Sequence, residues 1–209
     1  MRIFIEANEE QKTEIQSVIH SHKNEMIFSQ SPASIIESEY DAFFFLTDFW
    51  KSINVKNFSK KPVLIHSVID TLSQLNTPEN ISRINAWPGF LQRSLWEITS
   101  NDEQKIQPVF EGLGQKIIFV KDEPGFVSAR VISMIINEAF YAVGERVSTQ
   151  KEIDLAMKLG TNYPNGPFEW AQKIGVKNIY DLLKKLSEKE KRYLPAPALK
   201  ELYLQKIHS

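Results

Sequence analysis

His66 and Ser67 close an apolar run and are followed by Asp70, so an imidazole, a hydroxyl and a carboxylate fall together. A nucleophile-base-acid relay draws its members from separate parts of a fold, so this grouping is too local to count as a triad. His66 alone has the right titration range for a proton acceptor; a lone histidine at a strand end also reads as a hydrogen-bonded structural residue. His20 and His22 lie on a charged helix end and read as solvated. No pair of histidines with a carboxylate has metal-ligand spacing. The chain has no cysteine, which excludes a thiolate nucleophile, a thiolate metal site and a disulfide framework. KDEPGFVSAR, residues 121–130, reads as a strand end, a Pro-Gly turn and a helix start, a common frame for a site. Yet the side chain due to enter it is Ala129, which has no chemistry.

The elements that would position these residues fall into two halves. Residues 2–7, 25–28, 42–46, 62–66 and 116–120 read as short strands, and 42–46 (AFFFL) and 62–66 (PVLIH) are apolar throughout, as in parallel sheets covered on both faces. Helical spacing over 9–21 and a capping box at Ser100 and Glu103, opening a helix that ends near Gly112 and Gly114, alternate with them. This predicts a parallel α/β sheet wound in the Rossmann manner over residues 1–121. Residues 126–143 are apolar almost all round, which requires burial on several sides. A helix capped by Thr149 and Glu152 and ended by Gly160, and two more over 178–186 and 197–206, make residues 122–209 an all-α domain.

With 209 residues the chain has ample length for a core, and a net charge of −1 gives no basic face for nucleic acid or a membrane surface. The N-terminus lacks the apolar core of a signal peptide, and no apolar run reaches membrane-spanning length, so a cytoplasmic protein is expected. The aromatic residues of 43–45 read as core; Asp48, Phe49 and Trp50 read as core or a pocket wall.

KDEPGFVSARVISMIINEAFYAV, then STQKEIDLAMKLGTNYPNGPFEWAQKIGV, resembles the C-terminal domain of 3-hydroxyacyl-CoA dehydrogenases, in the order of its "PGF" turn, "NEA" helix, "DxAMKLG" and "GPFE" segments. The resemblance covers roughly residues 119–203 and is faint over 62–120. It implies a truncated Rossmann-like domain followed by an all-helical domain of the 6-phosphogluconate dehydrogenase C-terminal type. It also implies NAD as cofactor, an acyl-CoA-like substrate, and a homodimer formed through the helical domain.

The same comparison marks departures. The family's glycine-rich turn corresponds to IFIEANEEQKTEI, yet no glycine precedes Gly89, and Glu6, Glu9 and Glu10 put negative charge where a pyrophosphate would lie. The family's catalytic histidine and its orienting glutamate, twelve apart, fall on Asn85 and Glu97; an amide is a poor general base. Its substrate-side asparagine falls on Ala129, and its substrate-contacting serine on Ser67. Trp87 and Pro88 stand where they would fill such a site. The expectation is therefore a pseudoenzyme with no cofactor, no metal, and a retained ligand- or partner-binding role. The alternatives are an active dehydrogenase of fatty-acid metabolism with a rearranged site, or a structural dimerisation module with Ile135 and Phe140 at its interface.

Overall fold

The computed structural model describes residues 1–20, 24–30, 35–58 and 60–207, so His22 lies outside the described residues. The chain divides into two units, Met1–Phe126 and Val127–Ser209.

The first unit is built on a seven-stranded sheet in the order β2-β1-β3-β4-β5-β6-β7. Its strands are β1 (Arg2–Glu6), β2 (Glu25–Ser29), β3 (Ala42–Phe45), β4 (Val63–His66), β5 (Ile81–Ile84), β6 (Leu95–Ser100) and β7 (Lys116–Phe119). All neighbouring pairs are parallel except β5 and β6, where the chain turns back on itself. The all-apolar strand β3 is buried on both faces. On one face, Ile3, Ile5, Phe44 and Leu64 pack with Ile15 of helix α1 (Glu9–Val18) and with Ile106, Val109, Phe110 and Leu113 of α3 (Glu103–Leu113). On the other, Phe4, Phe43, Phe45, Val63 and Ile65 pack against Trp50, Val55 and Phe58 from two short 3-10 turns and Leu72 of α2 (Leu72–Leu75). Trp50 and half-buried Phe49 thus serve the core.

β5 and β6 were not among the expected strands, because polar residues interrupt their apolar patterns. The cap of α3 is also corrected. Asp102 is the N-cap, accepting from Lys105 N at 3.0 Å, while Ser100 Oγ accepts from Asp102 N rather than forming a box with Glu103.

The second unit holds α4 (Ser128–Gly144), α5 (Gln150–Thr161), α6 (Pro167–Ile174), α7 (Val176–Ser187) and α8 (Pro197–Ile207). The box of Thr149 and Glu152 caps α5 as expected. Gly160 does not end that helix, because nothing crowds it and Asn162 supplies the left-handed stop at φ 55°. Helix α4 is not buried on every side: Val131 is 53% exposed, while Phe140 is buried and meets Phe168 of α6 edge-on at 5.0 Å. Phe140 is therefore core of its own unit, not an interface position. Among the described residues, no helix is long and apolar enough to cross a membrane.

Candidate functional site

Open α/β sheets bind ligands beyond the C-terminal ends of their parallel strands, at the point where strand order reverses. Here that point lies between β1 and β3: the chain leaves β1 for β2 on one side and returns to β3 on the other. Three side chains from β1 and α1 span it.

The buried Glu6 carboxylate accepts from Thr47 Oγ1 at 2.6 Å and from Thr47 N at 3.2 Å; burial raises its pKa against these bonds. Gln11, third residue of α1, accepts from Asn8 N through Oε1. Its Nε2 donates to Leu46 O at 2.6 Å and Ala86 O at 3.1 Å, so one amide ties the helix start to the loops after β3 and β5. One turn later, Glu14 accepts from Gly89 N at 2.5 Å and Leu91 N at 3.0 Å.

A dinucleotide pyrophosphate needs a tight glycine turn and open N–H groups at the start of α1. The residues present do not fit it. Asn8 and Gln11 cap each other's backbone, Gln11 bridges the loops, and Glu6, Glu9 and Glu10 add negative charge. The absence of glycine was legible from the sequence; the long-range bonds of Gln11 and Glu14 had no sequence signal.

The residues singled out by resemblance occupy a second region, at the ends of β4 to β6. Ser67 N donates to Ile84 O, continuing the β4/β5 ladder. Extended by one residue, the two registers set Ser67, Asn85 and Glu97 in one row across three adjacent strands. Asn85 is 5% exposed, and its Oδ1 accepts from Trp87 N at 3.1 Å. Ser67 Oγ donates to Asp70 O at 2.7 Å, so the hydroxyl and the carbonyl of these neighbours are joined in a turn rather than in a relay. Glu97 is half-buried and within electrostatic reach of Arg93, whose guanidinium stacks on Phe90 at 4.0 Å. Burial pulls the Arg93 pKa down, and Glu97 and then Glu14 oppose that. Trp87 is buried and meets Phe90 edge-on at 6.2 Å.

His66 does not take the missing base's place. Its Nδ1 accepts from Ala86 N at 3.1 Å, which puts the ring proton on Nε2, and its carbonyl accepts from Trp50 Nε1. Burial lowers its pKa to about 4, so at neutral pH it is a fixed neutral donor. Among the described residues, no three His, Asp or Glu side chains converge to hold a metal.

The 121–126 turn is organised by Arg83, which is fully buried in β5. Its Nε donates to Asp122 Oδ1 at 2.8 Å, Nη1 to Ser67 O at 3.0 Å and Nη2 to Glu123 O at 2.6 Å, and its guanidinium lies 4.3 Å from the Phe126 ring centre. Gly125 and Phe126 both take positive φ, 87° and 49°. Asp122 also accepts from Leu72 N and Ser73 N at the start of α2.

In the helical unit, Ala129 is fully buried near the start of α4, and Arg130 lies 5.8 Å from the Tyr193 ring. Asn137 of "NEA" donates to Leu194 O and accepts from Ala196 N. Asp154 of α5 accepts from Phe168 N, and Glu169 accepts from Lys158 Nζ and Gly166 N. A Cβ at Gly166 would stand 2.3 Å from Asp154, so glycine is required there by close approach. A cavity of about 270 Å³ lies between α4, α5, α6 and α8, lined by Phe140, Lys151, Asp154, Phe168 and Leu202.

Comparison with known proteins accords with this division. Residues 125–207 match the model of the 3-hydroxyacyl-CoA dehydrogenase C-terminal domain. The 3-hydroxyadipyl-CoA dehydrogenase of Escherichia coli is 39% identical over 90 residues, 42% of this chain and 19% of its own. The 3-hydroxybutyryl-CoA dehydrogenase of Bradyrhizobium diazoefficiens is 37% identical over 89 residues, 42% and 30% of the two chains. This chain thus spans less than a third of either relative. The crystal structure of (S)-3-hydroxybutyryl-CoA dehydrogenase from Ralstonia eutropha superposes with a TM-score of 0.77 over 98% of this chain and 93% of that one; at 18% identity the likeness is one of fold. Residues 125–207 are thus similar in sequence to the 3-hydroxyacyl-CoA dehydrogenase C-terminal domain, and the rest of the chain shares that family's fold.

Proposed function

We propose that this chain is a degenerate 3-hydroxyacyl-CoA dehydrogenase relative that neither binds NAD nor transfers hydride, and that it retains a binding site for a small acyl-CoA-like molecule. One observation carries the reading: Gln11, Glu6 and Glu14 of the chain itself bond across the crevice at the start of α1, where a dinucleotide would need glycine and open N–H groups. Hydride transfer has no acceptor without that cofactor, and Asn85 at the family's histidine position cannot take the hydroxyl proton at pH 7. The row of Ser67, Asn85 and Glu97 supports a retained ligand role. The relatives are named for 3-hydroxybutyryl-CoA and 3-hydroxyadipyl-CoA, which gives the ligand class to try first.

The test is calorimetry and thermal shift with NAD, NADH, 3-hydroxybutyryl-CoA and acetoacetyl-CoA. A ligand at one hundred times its dissociation constant stabilises by about 2.7 kcal/mol. Stabilisation by a thioester and none by NAD is expected. NAD binding tighter than about 100 μM, some 5.5 kcal/mol, refutes the reading, as does NAD-dependent turnover.

A second role, homodimerisation through the helical unit, is favoured by α5, which has no buried residue and carries Leu155 and Leu159 at 53% and 79% exposure. These two side chains are four apart and share one face, and more than half of each is open to solvent. Sedimentation at micromolar concentration should report twice 24.1 kDa, and Leu159→Glu should give a folded monomer. A wild-type monomer removes the proposal.

A further inference from the structure

We infer that Asn85 is the hydrogen-bond donor for a carbonyl oxygen of the bound ligand; the inference rests on the ligand-binding reading above. Asn85 follows the last residue of β5 and is 5% exposed. A backbone N–H only donates, so the bond from Trp87 N at 3.1 Å fixes which end of the amide is oxygen. Nδ2 and its two hydrogens are therefore the other end. That nitrogen is buried and has no acceptor among the described residues. A buried donor without an acceptor is costly, and native sites that keep one do so for a reason.

No neighbour supplies the missing acceptor in the structure, and the polar groups of the β4 end have other partners. The Ser67 hydroxyl is turned to Asp70 O, and Ser67 O is taken by Arg83. The His66 ring is committed through Nδ1 to Ala86 N. Asn85 is thus an uncommitted donor in the row of Ser67, Asn85 and Glu97, at the strand ends where sheets of this kind hold ligands. An amide N–H2 only donates, so it selects an acceptor oxygen. Glu97, opposite Asn85 in the extended register, puts negative charge beside it, which favours a neutral carbonyl over a carboxylate. In this assignment Asn85 holds the carbonyl and moves no proton, so the substitution at this position changes the site from proton removal to binding.

Acetoacetyl-CoA, which carries neutral carbonyl oxygens, is the probe. In 15N–1H spectra the side-chain amide pair of Asn85, assigned by its loss in Asn85→Asp, should shift on saturation. Asn85→Asp keeps the acceptor for Trp87 N and removes the donor. Asn85→Ser also keeps that acceptor, through a hydroxyl in the equivalent turn, while it removes the NH2 donor and leaves one O–H a bond shorter. Both should bind acetoacetyl-CoA about tenfold or more weakly, with Asn85→Ser covering the case in which the aspartate variant fails to fold. Wild-type binding with unmoved Asn85 resonances and an unaffected Asn85→Ser overturns this inference and leaves the ligand-binding reading standing. No binding of acetoacetyl-CoA to the wild type overturns both.

Discussion

Replacing Arg83 by Met tests the claim that one buried cation holds the 121–126 turn. Methionine keeps most of the side-chain length and apolar volume, so the change isolates charge and hydrogen bonding. Three bonds disappear, to Asp122 Oδ1, Ser67 O and Glu123 O, together with the cation over Phe126. Breaking a buried ion pair from one side costs about 3–5 kcal/mol, because the partner charge is left behind. The Asp122 side chain is 23% exposed and keeps its two backbone donors at α2, which draws the figure to the lower end. Each carbonyl left without a donor adds about 1 kcal/mol. Phe126, at φ 49°, loses the guanidinium that holds its ring. Because these contributions share one network they do not sum, and a net loss of about 3–4 kcal/mol is expected. At roughly 4 °C per kcal/mol for a unit of this size, the melting transition of the sheet unit should fall by about 12–16 °C. Urea denaturation followed by tryptophan fluorescence, with Asp122→Asn and the double variant completing a cycle, measures it. The reasoning fails if Arg83→Met changes stability by less than about 0.5 kcal/mol or if the cycle shows no coupling.

Three further outcomes follow from single contacts. His66 has a folded pKa near 4, below its unfolded value, so its contribution is present above about pH 6.5 and lost as pH falls towards 4; that loss should reach about 3 kcal/mol and be smaller in His66→Gln, as melting from pH 7.5 to 4 will show. Gly166→Ala should destabilise the helical unit by about 1–3 kcal/mol, since its Cβ collides with Asp154, and adding Asp154→Ala should recover part of that in denaturant titrations. Asn137→Ala, which strands Ala196 N and leaves Leu194 O only the bond from Tyr141 Oη at 3.4 Å, should cost about 1–3 kcal/mol in the same assay.

How far the sequence reveals this molecule depends on whether a residue's role is local. Strands β1, β3 and β4 are readable because each carries a run of three or more apolar residues, as burial on both sheet faces demands. Strand β5 is not, because Ser82 and Arg83 stand inside it, and a buried arginine is tolerable only through partners on remote loops. Reading Ser100 and Glu103 as a capping box fails for a similar reason: several residues there are able to cap, and the backbone chose Asp102. The candidate site divides the same way. Missing glycines and a misplaced Asn85 are visible one residue at a time. The row of Ser67, Asn85 and Glu97 needs a register, and the bonds of Gln11 and Glu14 span loops 35 to 77 residues away.

The residues of the motifs matched in the helical unit have structural work there, which accounts for a resemblance that does not depend on chemistry. Asn137 fastens α4 to the segment before α8, Asp154 caps the start of α6, Gly166 makes room for Asp154, and Glu169 joins Lys158 to the Gly166 N–H. Each holds this unit together regardless of any reaction. A match over residues 125–207 therefore speaks for the fold of the helical unit, while the function proposed above turns on the sheet unit, where Gln11 and Asn85 stand.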